Sequence, residues 1–192
     1  RAEDFRDAAA LMFALKGMDT PVTMGSKDQP VNVWSWKADW QIDLEKWKDV
    51  ETIHPGMAVE MYPFEKGDKT TENKGNRPSG MPDHDPAYQS GRAAGNPFSE
   101  PGRKSPVEDA VAAGFGTLTS LKSDKQSVAG KGVWKDGRWA IQMSRSLASP
   151  DECCIALKAG TEVPLAFAVW DGAAGDRAGQ KSVTTWYRLV LK

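Results

Sequence analysis

The sequence predicts an all-β protein, a β-sandwich of two mainly antiparallel sheets with a few short helices and one long loop. Short runs of β-branched and aromatic residues recur between Gly, Pro and Asp turn signals, and stretches with convincing helical periodicity are scarce. Eight tryptophans supply large rings of the kind that fill the space between two sheets or line a pocket on one of them. At 192 residues the chain suits one domain, residues 1–192, with a core large enough to bury a ligand. A net charge of -1 gives no electrostatic reason to expect nucleic acid or an anionic membrane as partner.

The opening EDFRDAAALMFAL sets Phe5, Ala9, Met12, Phe13 and Leu15 among good helix formers, which predicts a short amphipathic turn or helix. After a Gly/Asp/Thr/Pro turn, PVNVWSWKADW sets Val31 and Val33 beside Trp34 and Trp36 in a β-rich run, and AVEMYPF repeats the pattern near residue 60; both are predicted strands. From Glu65 to Val107 the chain turns polar and rich in Gly and Pro, too long for an ordinary connection and therefore the place to seek function. Beyond it, GFGTLTSL, GVWKDGRWAIQMSRSL, VPLAFAVWDG and SVTTWYRLVL read as strands, with the KDG of WKDGRW as a tight hairpin turn.

The longest apolar run, VPLAFAVWD at 163 to 171, is far short of the roughly 20 residues of a membrane-spanning helix. The start at Arg1 is what a processed secretory protein would show. The two cysteines, Cys153 and Cys154, are neighbours whose Cα atoms lie about 3.8 Å apart, closer than an ordinary disulfide allows, so no structural bridge is expected. The absence of C-x-x-C-H excludes covalent c-type haem attachment. With His54 and His84 in no nucleophile-base motif, hydrolase chemistry has little support. The acidic D-H-D at 83–85 and D-E at 151–152 lack calcium-loop spacing, and GNRPSGMPDHDP closes no phosphate loop. Trp34, Trp36, Trp40 and Tyr62 could form a stacking platform for sugar, as in a carbohydrate-binding sandwich module; packing in the core is the commoner fate of such rings.

Four blocks then carry a specific resemblance: DAAALMFAL, PVTMGSKDQPVNVWSWKADWQ, SPVEDAVAAGFGTLTS and PLAFAVWDGAAGDRAGQKSVTTWYRL. Together they resemble the γ subunits of the periplasmic molybdenum enzymes of the type II DMSO reductase family, among them ethylbenzene dehydrogenase, dimethylsulfide dehydrogenase, chlorate reductase and selenate reductase. The resemblance implies a non-catalytic, periplasmic electron-transfer subunit carrying one haem b in a pocket closed by the long loop. It also implies a molybdopterin catalytic α subunit and an iron-sulfur β subunit as partners in a heterotrimer, and a soluble c-type cytochrome as redox partner. Haem ligation by a methionine and a lysine, also implied, accounts for a haem protein with so few histidines.

Ligands must reach opposite faces of a porphyrin from separated parts of the chain. Met81, bent between Gly80 and Pro82 in the long loop, is the expected thioether, with Met24 of the TMGS turn as its competitor; Met12, Met57, Met61 and Met143 lie in periodic segments better explained by packing. The lysine must coordinate as the neutral amine, which an apolar pocket favours. Lys158, beside the most hydrophobic strand in CIALKAGTEVPLAF, is the expected residue and Lys181 in GQKSVTTWY the alternative. His84 shares the loop with Met81 and would compete for the same face. Arg77, Arg92 and Asn96 are expected to bind the haem propionates, since guanidinium groups pair well with carboxylates.

Overall fold

The computed structural model describes residues 5–45, 90–100, 102–148 and 153–192. Nine strands appear among them: β1 (Ala8–Ala14), β2 (Val31–Lys37), β3 (Val107–Ala112), β4 (Thr119–Ser120), β5 (Ala129–Lys135), β6 (Arg138–Ser144), β7 (Glu162–Trp170), β8 (Ser182–Val183) and β9 (Tyr187–Val190). Seven form one sheet in the order β4-β3-β2-β1-β7-β8, with β9 also paired to β7, while β5 and β6 form a separate hairpin. Every pairing is antiparallel. The helices are short: α1 (Ala38–Glu45) and α2 (Ser90–Ala93), with 3-10 turns at Pro97–Ser99 and Ser123–Lys125. The all-β architecture of two antiparallel sheets is therefore observed.

Side chains alternate across the large sheet with a period of two. Leu11, Phe13, Trp34, Trp36, Val107, Val163 and Leu165 belong to one cluster, completed by Trp139, Ile141 and Met143 of the β6 hairpin strand. The hairpin lies close because β5 presents glycines to the sheet: a Cβ on Gly132 would stand 2.4 Å from Trp36 Cζ2, and one on Gly130 2.3 Å from Val107 Cγ2. Trp36 is fully buried, its ring 4.8 Å from that of Trp139, and large aromatic side chains of this kind dominate the energetics of a core. Gln41 of α1 accepts the Gly132 N–H at 2.8 Å, tying the helix to β5.

Buried polar groups on this face hold one another. Asn32 donates to Asp109 at 2.6 Å and to the Ala110 carbonyl at 2.9 Å, and its oxygen accepts from Trp34 Nε1 and the Ile155 N–H. Gln126 bridges backbone groups of Asp109 and Leu121. Such groups are tolerated inside only when satisfied.

Three sequence expectations change. The amphipathic turn or helix expected at the N-terminus is the central strand β1, paired along its length to β2 and β7; two-sided pairing overrides a helix preference worth only tenths of a kcal/mol per residue. The strand of VNVWSWK stops at Lys37 and ADWQIDLE continues as α1. GFGTLTSL contributes only the two-residue β4, while VEDAVA, not read as a strand, forms β3 despite an acidic pair. The KDG turn is as expected, with Asp136 and Gly137 both at positive φ (52° and 73°), the requirement of the two-residue hairpin turn. AVEMYPF and most of the long polar loop lie outside the described residues.

Candidate functional site

On its other face the large sheet floors a cleft of about 610 Å³. Register explains the space. Ala10 of β1 lies between Ser35 of β2 and Ala168 of β7, Met12 between Val33 and Ala166, and Ala8 between Lys37 and Trp170. Ala110 of β3 and Ser120 of β4 extend the rows, and all of these residues line the cleft. A floor paved mainly with alanine and serine keeps side chains low over three strands, leaving a broad, shallow, largely apolar bed. The volume lies within the range of about 300–1,000 Å³ typical of small-molecule sites.

Two thioethers face this bed, those of Met12 and Met24. Met24 sits in a tight loop at φ 77°, next to Gly25 at 73°, held by Gly25 N–H donating to the Pro21 carbonyl at 2.9 Å and by Gly114 N–H donating to the Met24 carbonyl at 2.9 Å. A non-glycine residue in this left-handed region costs about 1–2 kcal/mol, a cost that loops at functional sites often carry. Lys181, just before β8, also lines the cleft and holds its Nζ 5.3 Å from the Trp170 ring centroid. Burial lowers its pKa from the ordinary lysine value, favouring the uncharged amine.

Charged side chains also line the cleft. Lys37 and Glu108 form a buried ion pair on the cleft wall, Ser120 donates to the second Glu108 oxygen, and the Lys37 ammonium lies 4.4 Å from the Trp40 ring centroid. Burial lowers the Lys37 pKa, and Glu108 opposes that shift. Arg6 donates to Asp39 at 2.7 Å, Arg177 stacks 4.7 Å from the Phe5 ring centroid, and both arginines line the cleft.

Of the residues expected from sequence, Met81, Arg77, His54 and His84 lie outside the described residues. Lys158 is exposed in a turn, where its carbonyl accepts from the Thr161 N–H and hydroxyl, and it does not line the cleft. Arg92 is buried in α2 and paired with Glu100 at 3.3 Å; Asn96 caps the following 3-10 turn by accepting from the Phe98 N–H at 3.0 Å. Neither reaches the cleft lining. Met24 and Lys181, the alternatives, share it. Lys37, Glu108, Arg6 and Arg177 are missed by the sequence reading; the signal available for the first pair is a lysine and a glutamate inside strand-like runs, where burial demands a partner.

The sugar platform is overturned: Trp34, Trp36 and Trp40 are only 5%, 0% and 4% exposed, so their faces are spent inside. Among the described residues no group of three or more His, Cys, Asp or Glu could hold a metal ion, and no helix is long and apolar enough to cross a membrane.

A protein of Haloferax mediterranei assigned as the heme subunit of a respiratory nitrate reductase is 28% identical over 188 residues, 97% of this chain and 44% of that protein. The γ subunit of dimethylsulfide dehydrogenase from Rhodovulum sulfidophilum is 37% identical over 84 residues, 41% of this chain and 31% of its own. The chain thus spans less than half the length of either relative. The family model described as Ethylbenzene dehydrogenase matches residues 1–182, nearly the whole sequence, and the chain belongs to the ethylbenzene dehydrogenase family.

Proposed function

We propose that the chain is a non-catalytic electron-transfer unit whose cleft holds one haem b. The observation that carries this reading is the flat apolar bed of alanine and serine, faced by thioethers and by a lysine that burial disposes toward its neutral form. A planar macrocycle needs such a bed, and axial ligation needs such donors. The relatives named as a heme subunit and a γ subunit support it. When bound, the haem would accept and release a single electron.

The chain's own residues then have distinct tasks. Lys181 is the proposed lysine ligand in preference to Lys158, because it lines the cleft, which Lys158 does not, and burial lowers its pKa. Met81 is the proposed thioether, supported by its flanking Gly80 and Pro82 in the sequence, and Met24 is the thioether among the described residues that competes with it. Arg6 and Arg177 are placed to meet carboxylates at the rim, a role expected from sequence for Arg77, Arg92 and Asn96. Ala8, Ala10, Ala166 and Ala168 exclude water from the bed.

We further propose a periplasmic setting, assembly with a molybdopterin catalytic subunit and an iron-sulfur subunit, and exchange of electrons with a soluble c-type cytochrome. The test is the visible spectrum, oxidised and dithionite-reduced, of the chain produced with ample haem. Wild type should show a low-spin b-type spectrum. Lys181→Ala and Met81→Ala should each turn high-spin or lose the Soret band, while Lys158→Ala and Met24→Ala should not. A wild-type chain without a Soret band sinks the haem reading; a low-spin spectrum in Lys181→Ala with loss in Lys158→Ala moves the ligand to Lys158.

A further inference from the structure

A second cavity, of about 720 Å³, shares no lining residue with the cleft and has both cysteines in its wall. Adjacent residues of a strand point to opposite faces, and those of a helix diverge around its axis. Cys153 and Cys154 lie instead in a turn, and their sulfurs converge to 3.6 Å. Cys153 is exposed and Cys154 buried. The buried partner is anchored by its neighbour: the Ile155 N–H donates to Asn32 at 3.2 Å and the Ile155 carbonyl accepts from Arg145. A fixed inner thiol thus meets an outer one open to solvent.

We propose that Cys153 and Cys154 form a peroxide-reactive vicinal dithiol that closes reversibly to a disulfide between neighbours. The Cys153 thiolate attacks the outer oxygen of a hydroperoxide; the O–O bond breaks, water or an alcohol leaves, and Cys153 becomes a sulfenic acid. The Cys154 thiol then attacks that sulfur, the S–O bond breaks, and water leaves with the Cys154 proton. Two thiols are oxidised by two electrons and one hydroperoxide is reduced. Burial and the nearby Asp109 carboxylate push the Cys154 thiol up to about 12, so it does not lead the attack at neutral pH. Its fixed proximity drives the second step. The ring is more constrained than an ordinary disulfide, whose Cα atoms lie about 4.4–6.8 Å apart, and is accordingly easily reduced.

The full chain is treated with one equivalent of hydrogen peroxide and digested with trypsin, and the peptide 146–158, which contains both cysteines and no methionine, is weighed. Loss of two hydrogens, reversed by dithiothreitol, is expected. Cys153→Ser should react slower on the order of tenfold or more, since only the buried thiol remains, and Cys154→Ser should stop at a sulfenic acid that dimedone captures. A wild-type peptide that gains oxygen instead, a disulfide between two chains, thiols that survive peroxide while free cysteine is consumed, or Cys153→Ser reacting at the wild-type rate would each overturn the proposal.

Discussion

Lys37 and Glu108 face each other across β2 and β3 beside a bed of alanines, each side chain about 5–6% exposed. Two charges so far from water gain from each other only what desolvation leaves, and a lone survivor is costly. Glu108→Gln is expected to lower unfolding stability in urea by about 3–5 kcal/mol, whereas replacing the pair together by Lys37→Met and Glu108→Leu should recover most of that loss. The single variant also has a pH signature. Without its carboxylate partner, Lys37 keeps the burial that lowers its pKa and loses the contact that opposes it. The unfolded chain then holds the Lys37 proton at pH values where the folded chain has shed it, so stability rises with pH. The deficit of Glu108→Gln should therefore shrink from neutrality towards 10.5, the ordinary lysine value; a deficit independent of pH would remove the buried ammonium from the explanation. Little of this site is legible in sequence. Of the thioether and lysine candidates Met24, Met81, Lys158 and Lys181, sequence alone does not separate the two lysines, because their exposure depends on how the turns around them fold. Lys158 adjoins the most apolar strand in sequence, yet it sits in the turn before that strand, exposed.

At the scale of the element, the hairpin β5–β6 shows how close approach is written in glycine. Gly132 lies under Trp36, with a notional Cβ 2.4 Å from Cζ2 and 2.7 Å from Cε2; neither ring nor backbone can yield cheaply. Gly132→Ala should cost about 1–3 kcal/mol, the range for an overpacked core, and should alter the fluorescence of the tilted Trp36–Trp139 pair as the hairpin lifts. Gly137→Ala, at the turn with open space around it, carries only the strain of positive φ and should leave that fluorescence unchanged. An equal effect of both on the emission would mean that the hairpin does not rest on Trp36. The hairpin, β2 and β7 are readable because their apolar residues and turn signals are local. The strand β1 is not, because DAAALMFAL takes its conformation from partners 17 to 29 and 152 to 162 positions away. The acidic pair in β3 hides that strand for the same reason: Glu108 and Asp109 are acceptable there through partners distant in sequence, among them Lys37 and Ser120 for Glu108 and Asn32 and Arg145 for Asp109.

Across the whole molecule the large sheet divides its labour, closing one face with the hairpin and keeping the other low. The faces differ in the size of the side chains that their register brings together: Phe13, Trp34 and Trp36 beneath the hairpin, Ala8, Ala10, Ala110, Ala166 and Ala168 on the bed. The bed alanines are therefore a choice for space, since a sheet face covered only for stability would gain about 0.8 kcal/mol for each additional buried CH₂. Ala168→Leu tests this directly. Ala168 is half-buried at the middle of the row Ser35, Ala10, Ala168, Val183, so a leucine there fills cleft rather than core. If the cleft holds the haem, the variant should fold with a melting temperature equal to or above that of the haem-free wild type, yet take up haem at least tenfold more weakly, a loss of about 1.4 kcal/mol or more, read from the Soret absorbance during titration. Undiminished haem uptake by a folded Ala168→Leu would place the haem elsewhere on the chain, and an equal loss of stability and uptake would mean that the bed is core after all.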